Sequence, residues 1–216
     1  MSRYVIVDLE MCRVPKGMRR EMFGSGNELI QIGAVLLDDS LEIADTFMTL
    51  VSPEYGIVDT YIEELTGITS SDVKTAPSTQ TALESFVSWL PDDATLVSWS
   101  EHDENQIRKE IEGKGLIIEG IESYLDNWID CQVTFAEKMN APKKYRLSEA
   151  LNIAAIDYTD GEHDALVDAR NTAVLFAKMM REPTLRLIAH NSAVSAYYNK
   201  KTAELTNAIG FLVALK

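Results

Sequence analysis

Residues 4–10 read Tyr-Val-Ile-Val-Asp-Leu-Glu, an apolar, strand-forming stretch into which two carboxylates are set. Side chains alternate across a strand, so Asp8 and Glu10 share one face and Leu9 takes the other. Two acids about 6–7 Å apart on a strand of buried character are costly without a counter-charge, and a divalent cation is the usual one. A chain built around such a strand must bring other ligand-bearing residues to that face.

At 216 residues the chain suits one good-sized domain with room for an appendage. A composition of 46% hydrophobic and 25% charged residues is ordinarily globular, without a signal of disorder. Only Cys12 and Cys131 are present, which predicts no disulfide scaffold and suits a reducing, cytoplasmic setting. The opening strand leaves no signal-peptide apolar core, and no apolar run approaches the ~20 residues of a membrane helix.

The net charge of −14 opposes broad electrostatic affinity for nucleic acid. Two small basic islands, Arg13/Lys16/Arg19/Arg20 and Lys143/Lys144/Arg146, weaken that opposition locally. Each is open to two readings, ordinary solvated charge or a phosphate contact. The first leaves the acid-bearing strand directly and is placed at the border of its cleft.

Residues 29–37, broken by Gln31 and Gly33, and residues 44–51 read as strands joined by the turn Asp38-Asp39-Ser40, hence a hairpin. A Gly- and Arg-rich loop through Met18, Gly24 and Gly26 precedes them. Helices are expected at 61–65, 79–90, 103–114, 132–139 and 147–153, and strands at 95–99 and 128–130. The clearest helix spans 165–180, with Leu166, Ala169, Ala173, Phe176, Ala177 and Met180 as its apolar face. Residues 184–216 read as a C-terminal helical extension packed on a domain of residues 1–183. Early hairpin strands followed by alternating strands and helices predict a mixed α/β sheet with helices on both faces. Phe47, Tyr61, Trp99 and Trp128 are assigned to the core.

Three more residues could join the first pair. Asp103 follows a strand, where with Gln106 it also fits a capping box. His163 stands just outside the long helix if Asp164 is its N-cap, and Asp168, about one turn in, projects back toward it. The helix dipole there favours a neutral imidazole able to accept a proton. Four carboxylates on separate elements could hold two Mg²⁺ or Mn²⁺ ions, which can activate water and stabilise a leaving oxygen in phosphodiester hydrolysis.

Asp8-Leu9-Glu10, Asp103, and His163 with Asp168 five residues on resemble, in order, the three motifs of the DEDDh 3′–5′ exonucleases. Glu28 to Val35, the Val51-Ser52-Pro53 and Leu65-Thr66-Gly67-Ile68-Thr69 segments, and the helix beginning at Asp164 extend the likeness over about residues 3–182. It is strongest to the ERI-1/3′hExo-like and KapD-type branch. The resemblance implies an RNase H-like fold and hydrolysis at the 3′ end of single-stranded nucleic acid, releasing nucleoside 5′-monophosphates. It implies two divalent cations held by Asp8, Glu10, Asp103 and Asp168, with Asp8 bridging and His163 as general base. It also implies substrate contacts at Leu9, Met11, Cys12, Arg13, Leu65 and His102. Met11 and Cys12 stand where many relatives carry Thr, and His102 where some carry an aromatic ring. RNA or DNA preference and homodimerisation stay open. So do two other readings: an oligoribonuclease-like enzyme for short RNA, and a regulatory binding module on a nuclease scaffold.

Overall fold

The strand that opens the chain becomes the centre of the sheet. The computed structural model describes residues 3–19, 24–141, 143–159, 161 and 163–182. Five strands, β1 (Arg3–Arg13), β2 (Asn27–Leu37), β3 (Ile43–Leu50), β4 (Ala94–Ser98) and β5 (Trp128–Asp130), lie in the order β3-β2-β1-β4-β5. β1, β2 and β3 form an antiparallel meander, whereas β4 and β5 run parallel to β1. The Asp38 carboxylate closes the expected hairpin by accepting from the backbone of Ser40 and Glu42.

β1 extends past its expected end to Arg13. Beyond a register shift between Glu10 and Met11 it goes on pairing with β2, Cys12 opposite Glu28 and Arg13 opposite Asn27.

The helices are α1 (Thr60–Thr66), α2 (Ser70–Lys74), α3 (Thr79–Trp89), α4 (Glu101–Lys114), α5 (Ile121–Leu125), α6 (Cys131–Met139), α7 (Leu147–Ile153) and α8 (Ala165–Arg181). Alternation sorts β1 between two cores. Val5, Val7 and Leu9 pack with Leu83 and Phe86 of α3, Ile107 of α4 and Leu125 of α5. Ile6 packs on the opposite face with Phe135 of α6, Leu151 of α7 and Phe176 of α8. A smaller cluster of Cys12, Ile30, Ile62 and Val73 seats α1 and α2. Each fully buried large side chain contributes about 1.5–3 kcal/mol of transfer free energy.

Three local expectations need correction. Met180 is 49% exposed and Met179 is buried in its place. Tyr61 is 53% exposed rather than core, with the Arg13 guanidinium 4.6 Å above its ring. Asp103 is not a cap: α4 begins two residues earlier, and the Ser100 hydroxyl accepts from the His102 amide. The helical extension expected over 184–216 and the basic residue Arg20 lie outside the described residues.

Two polar interruptions of β2 have structural reasons. Gly33 lies under the start of α8, where a Cβ would come 2.3 Å from the backbone carbon of Ala165. The Gln31 side chain accepts from the Ala165 amide at 3.0 Å, satisfying a donor at the helix start.

At the far end of the β1–β2 pair lies a closed ionic cluster. Lys114, its side chain 1% exposed, sits 2.6 Å from Glu28 and 2.9 Å from Glu110. It also donates to the Thr79 hydroxyl at 2.6 Å. Glu110 accepts from the Leu29 amide and the Gln106 side chain, both at 2.7 Å. Glu28 accepts from the backbone amides of Glu54, Tyr55 and Gly56, which docks that loop over Cys12. Burial alone would lower the Lys114 pKa, but Glu110 and Glu28 outweigh it and hold the ammonium above its usual value.

Candidate active site

The pairing register decides which face carries the acids. Asp8 is opposite Gly33 and Glu10 opposite Gln31, so both carboxylates lie on the face that receives the start of α8. Asp164 caps that helix as expected, its carboxylate accepting from Leu166 at 2.9 Å and Val167 at 3.1 Å. His163 precedes it with φ +68°, a left-handed conformation that costs a non-glycine residue about 1–3 kcal/mol. Its amide donates to Asp168 at 3.0 Å, and the Tyr158 hydroxyl donates to the other oxygen of that carboxylate. Ligand atoms of Glu10, His163 and Asp168 all lie within 4.8 Å of one another.

Asp103 reaches the same centre from the first turn of α4. Only 6% exposed, it accepts from the Leu9 amide at 3.2 Å, between the two acids of β1. That bond couples the end of β4, through α4, to the middle of β1.

Burial and mutual repulsion raise the carboxyl pKa values at this centre. Burial, then the neighbouring Asp168, Asp103 and Asp164, push the Glu10 carboxyl up to about 8. Burial lifts Asp103 to about 7 against the opposing amide bond from Leu9. Asp8 is held well above the ordinary carboxylate range by burial and by Asp103, Asp168 and Glu10. The strongest charges acting on these groups are other carboxylates.

Asp8, His163 and Asp168 wall a cavity of about 400 Å³ that also includes Trp99, Ser100, His102, Gln132, Arg146, Ser148 and Tyr158. The structure thus brings Asp8, Glu10, Asp103, His163 and Asp168 to one place, with exposed His102 beside them. Leu9 contributes an amide, its side chain being buried in the opposite core. Cys12 is fully buried, so its thiol is withheld from any ligand, and burial pushes that thiol up to about 12. Met11 is half-buried, Arg13 is exposed at the strand end, and Leu65 is half-buried on α1, none of them on the cavity wall.

Sequence reasoning missed Tyr158, Gln132 and Ser148, which carry no local signal. Arg146 was visible as part of a basic island, and Gln31 and Gly33 as breaks in an apolar strand.

The RNase T exonuclease family model matches residues 5–176. The ERI1 exoribonuclease 2 of Danio rerio is 33% identical over 187 residues, covering 76% of this chain and 33% of its own length. The DNA polymerase III subunit epsilon of Aquifex aeolicus is 28% identical over 205 residues, 93% of this chain and 89% of that protein. Among solved structures, the nuclease domain of 3′hExo, a DEDDh family member bound to rAMP, superposes with a TM-score of 0.72 at 24% identity. That match covers 83% of this chain and 92% of the other, and is a likeness of fold. The chain spans between about a quarter and a third of the length of the ERI1 relatives it matches.

Proposed function

The chain belongs to the RNase T exonuclease family, and from that premise we propose that it is a metal-dependent 3′–5′ exonuclease of single-stranded nucleic acid, releasing nucleoside 5′-monophosphates. The observation that carries this reading is the convergence of carboxylates from β1, α4 and α8 with one imidazole, beside a cavity lined by Asp8, His163 and Asp168.

The donor set suits hard divalent cations. Carboxylate oxygens are their preferred ligands, and four ionised acids match the charge of two such ions. The mutual repulsion that raises the pKa values here is what those cations would relieve. Asp8, Glu10 and Asp168 would hold one Mg²⁺ or Mn²⁺, with Asp8 bridging to a second and Asp103 completing the set. When bound, the pair supplies Lewis-acid stabilisation of the attacking and leaving oxygens of a phosphodiester.

The protein's own groups do the rest. His163, whose backbone N–H donates a hydrogen bond to Asp168, takes the proton from the attacking water. The Leu9 amide holds Asp103 in place. Met11, Arg13 and Leu65 receive the 3′-terminal nucleotide, and Cys12 takes part through its backbone alone. His102, exposed at the cavity, stacks on a base.

Relatives named as an exoribonuclease and as a DNA polymerase subunit put both nucleic acids into the first assay. With Mg²⁺ or Mn²⁺, the purified protein is expected to shorten 5′-labelled oligomers of about 20 nucleotides in single-nucleotide steps. Intact RNA and DNA with either metal would sink the reading. Cleavage confined to the shortest oligomers would select the oligoribonuclease-like enzyme.

A further inference from the structure

Arg146 stands on the wall of the cavity shared by Asp8, His163 and Asp168, with Gln132 and Ser148 beside it. We infer that its guanidinium binds the phosphate on the 5′ side of the bond being cut, so that substrates with at least two phosphodiesters are preferred over a dinucleotide. The inference rests on the exonuclease reading and adds a subsite to it.

The backbone beneath Arg146 is firmly held. The Gln132 side chain donates to the Tyr145 carbonyl at 2.6 Å, and the Tyr145 ring packs edge-on against Phe135 at 6.0 Å. The Arg146 amide donates to Glu149 at 3.0 Å. These contacts leave the Arg146 side chain exposed on an anchored base, the arrangement that limits the ordering cost of binding.

Its charge is uncommitted. Within the same basic island, Lys144 pairs with Asp130 at 3.1 Å, and Lys143 lies 3.9 Å from Glu149. Arg146 forms no ion pair among the described residues. The guanidinium shares the cavity wall with the carboxylates of Asp8 and Asp168.

The space between acids and guanidinium suits a group that is anionic toward Arg146. Arginine's planar fork matches phosphate oxygens in a bidentate manner, and Ser148 and Ser100 add neutral hydroxyls on the same wall. Direction follows from what lies elsewhere. The proposed terminal-nucleotide contacts, Met11, Arg13 and Leu65, are absent from this wall, so the cavity is left to the strand's 5′ continuation.

The test compares wild type, Arg146→Gln and Arg146→Lys on a dinucleotide with a 5′-hydroxyl, a trinucleotide and a longer oligomer. For Arg146→Gln the loss in kcat/KM on the trinucleotide and longer substrate should exceed that on the dinucleotide by about tenfold, mostly in KM. The salt dependence of log kcat/KM on the long oligomer should become shallower by about 0.7, with Arg146→Lys in between. An equal loss at every length, or a loss that follows a drop in Tm, overturns the inference. If wild type cleaves none of the three, the exonuclease reading fails instead. Arg146 is then judged by binding of a fluorescent oligomer, and an unchanged Kd in Arg146→Gln overturns its role.

Discussion

Two groups of buried acids flank the first strand, and α4 contributes to both. Near its end, Glu110 joins Glu28 around Lys114, with backbone amides and Gln106 filling the remaining oxygens. In its first turn, Asp103 joins Asp8, Glu10 and Asp168, and the leading charges on Asp8, Glu10 and Asp103 are other carboxylates. Both groups are carboxylates, fully buried in the first and, with Asp8 only half-buried, slightly more accessible in the second. Lys114 supplies the counter-charge in the first group, whereas Asp8, Glu10 and Asp103 of the second feel chiefly other carboxylates. A closed cluster uses its electrostatics to tie α3, α4 and a loop together. In the second, the open one, the mutual repulsion is what the proposed cations would relieve.

The largest contrast should come from Asp8→Ala. Steady-state assay on a labelled oligomer should show a loss of at least about a thousandfold, or ~4 kcal/mol of transition-state stabilisation. Metal-free stability should be unchanged or higher, because a repelled acid is gone. Asp103→Ala should cost distinctly less activity than Asp8→Ala, since Asp8 is proposed to serve both cations; equal losses would break that assignment.

Lys114→Met should do the reverse, lowering stability by about 3–5 kcal/mol in chemical denaturation by stranding two buried acids. Adding Glu28→Gln and Glu110→Gln should recover part of the loss. A Lys114→Met protein as stable as wild type would erase the distinction between the clusters.

A smaller effect follows from titration. Glu10 at about 8 and Asp103 at about 7 exceed their ordinary values, so the folded, metal-free protein binds more protons than the unfolded chain between about pH 4 and 8. Stability should therefore fall as pH rises through that window. Mg²⁺ or Mn²⁺ at a hundredfold excess over its Kd at pH 8 should stabilise the fold by about 2.7 kcal/mol there, and the same concentration should raise Tm less at pH 5. A metal effect independent of pH would argue against binding at these acids.

Much of the open cluster was legible in the sequence, because acids inside an apolar strand and at the start of an apolar helix contradict their surroundings. The sheet was legible for a related reason, since hydrophobic alternation and the turn at Asp38 are local signals. The closed cluster was not. Glu110 and Lys114 lie on a highly charged helix, and their pairing with Glu28 is made across the fold, where no local pattern shows it. Asp103 matched a capping box because its spacing to Gln106 is right, yet Ser100 had already begun the helix. The five-residue helices α2 and α5 are too short for a periodicity to show. Tyr61 looked like core because an aromatic ring usually is, yet it stands at the surface with the Arg13 guanidinium over its ring.

Gly33 sets a mechanical condition on all of this. With no side chain between them, the sheet and the start of α8 meet backbone to backbone directly beside Asp8. The separation between the acids of β1 and those of α8 is thereby fixed by the thinnest spacer a polypeptide has. The segment bearing Arg146 and the strand end bearing Arg13 lie outside that contact. Any side chain at position 33 would push α8 off the sheet and part the acids of β1 from Asp168, while the positions of Arg146 and Arg13 would be unaffected by that contact.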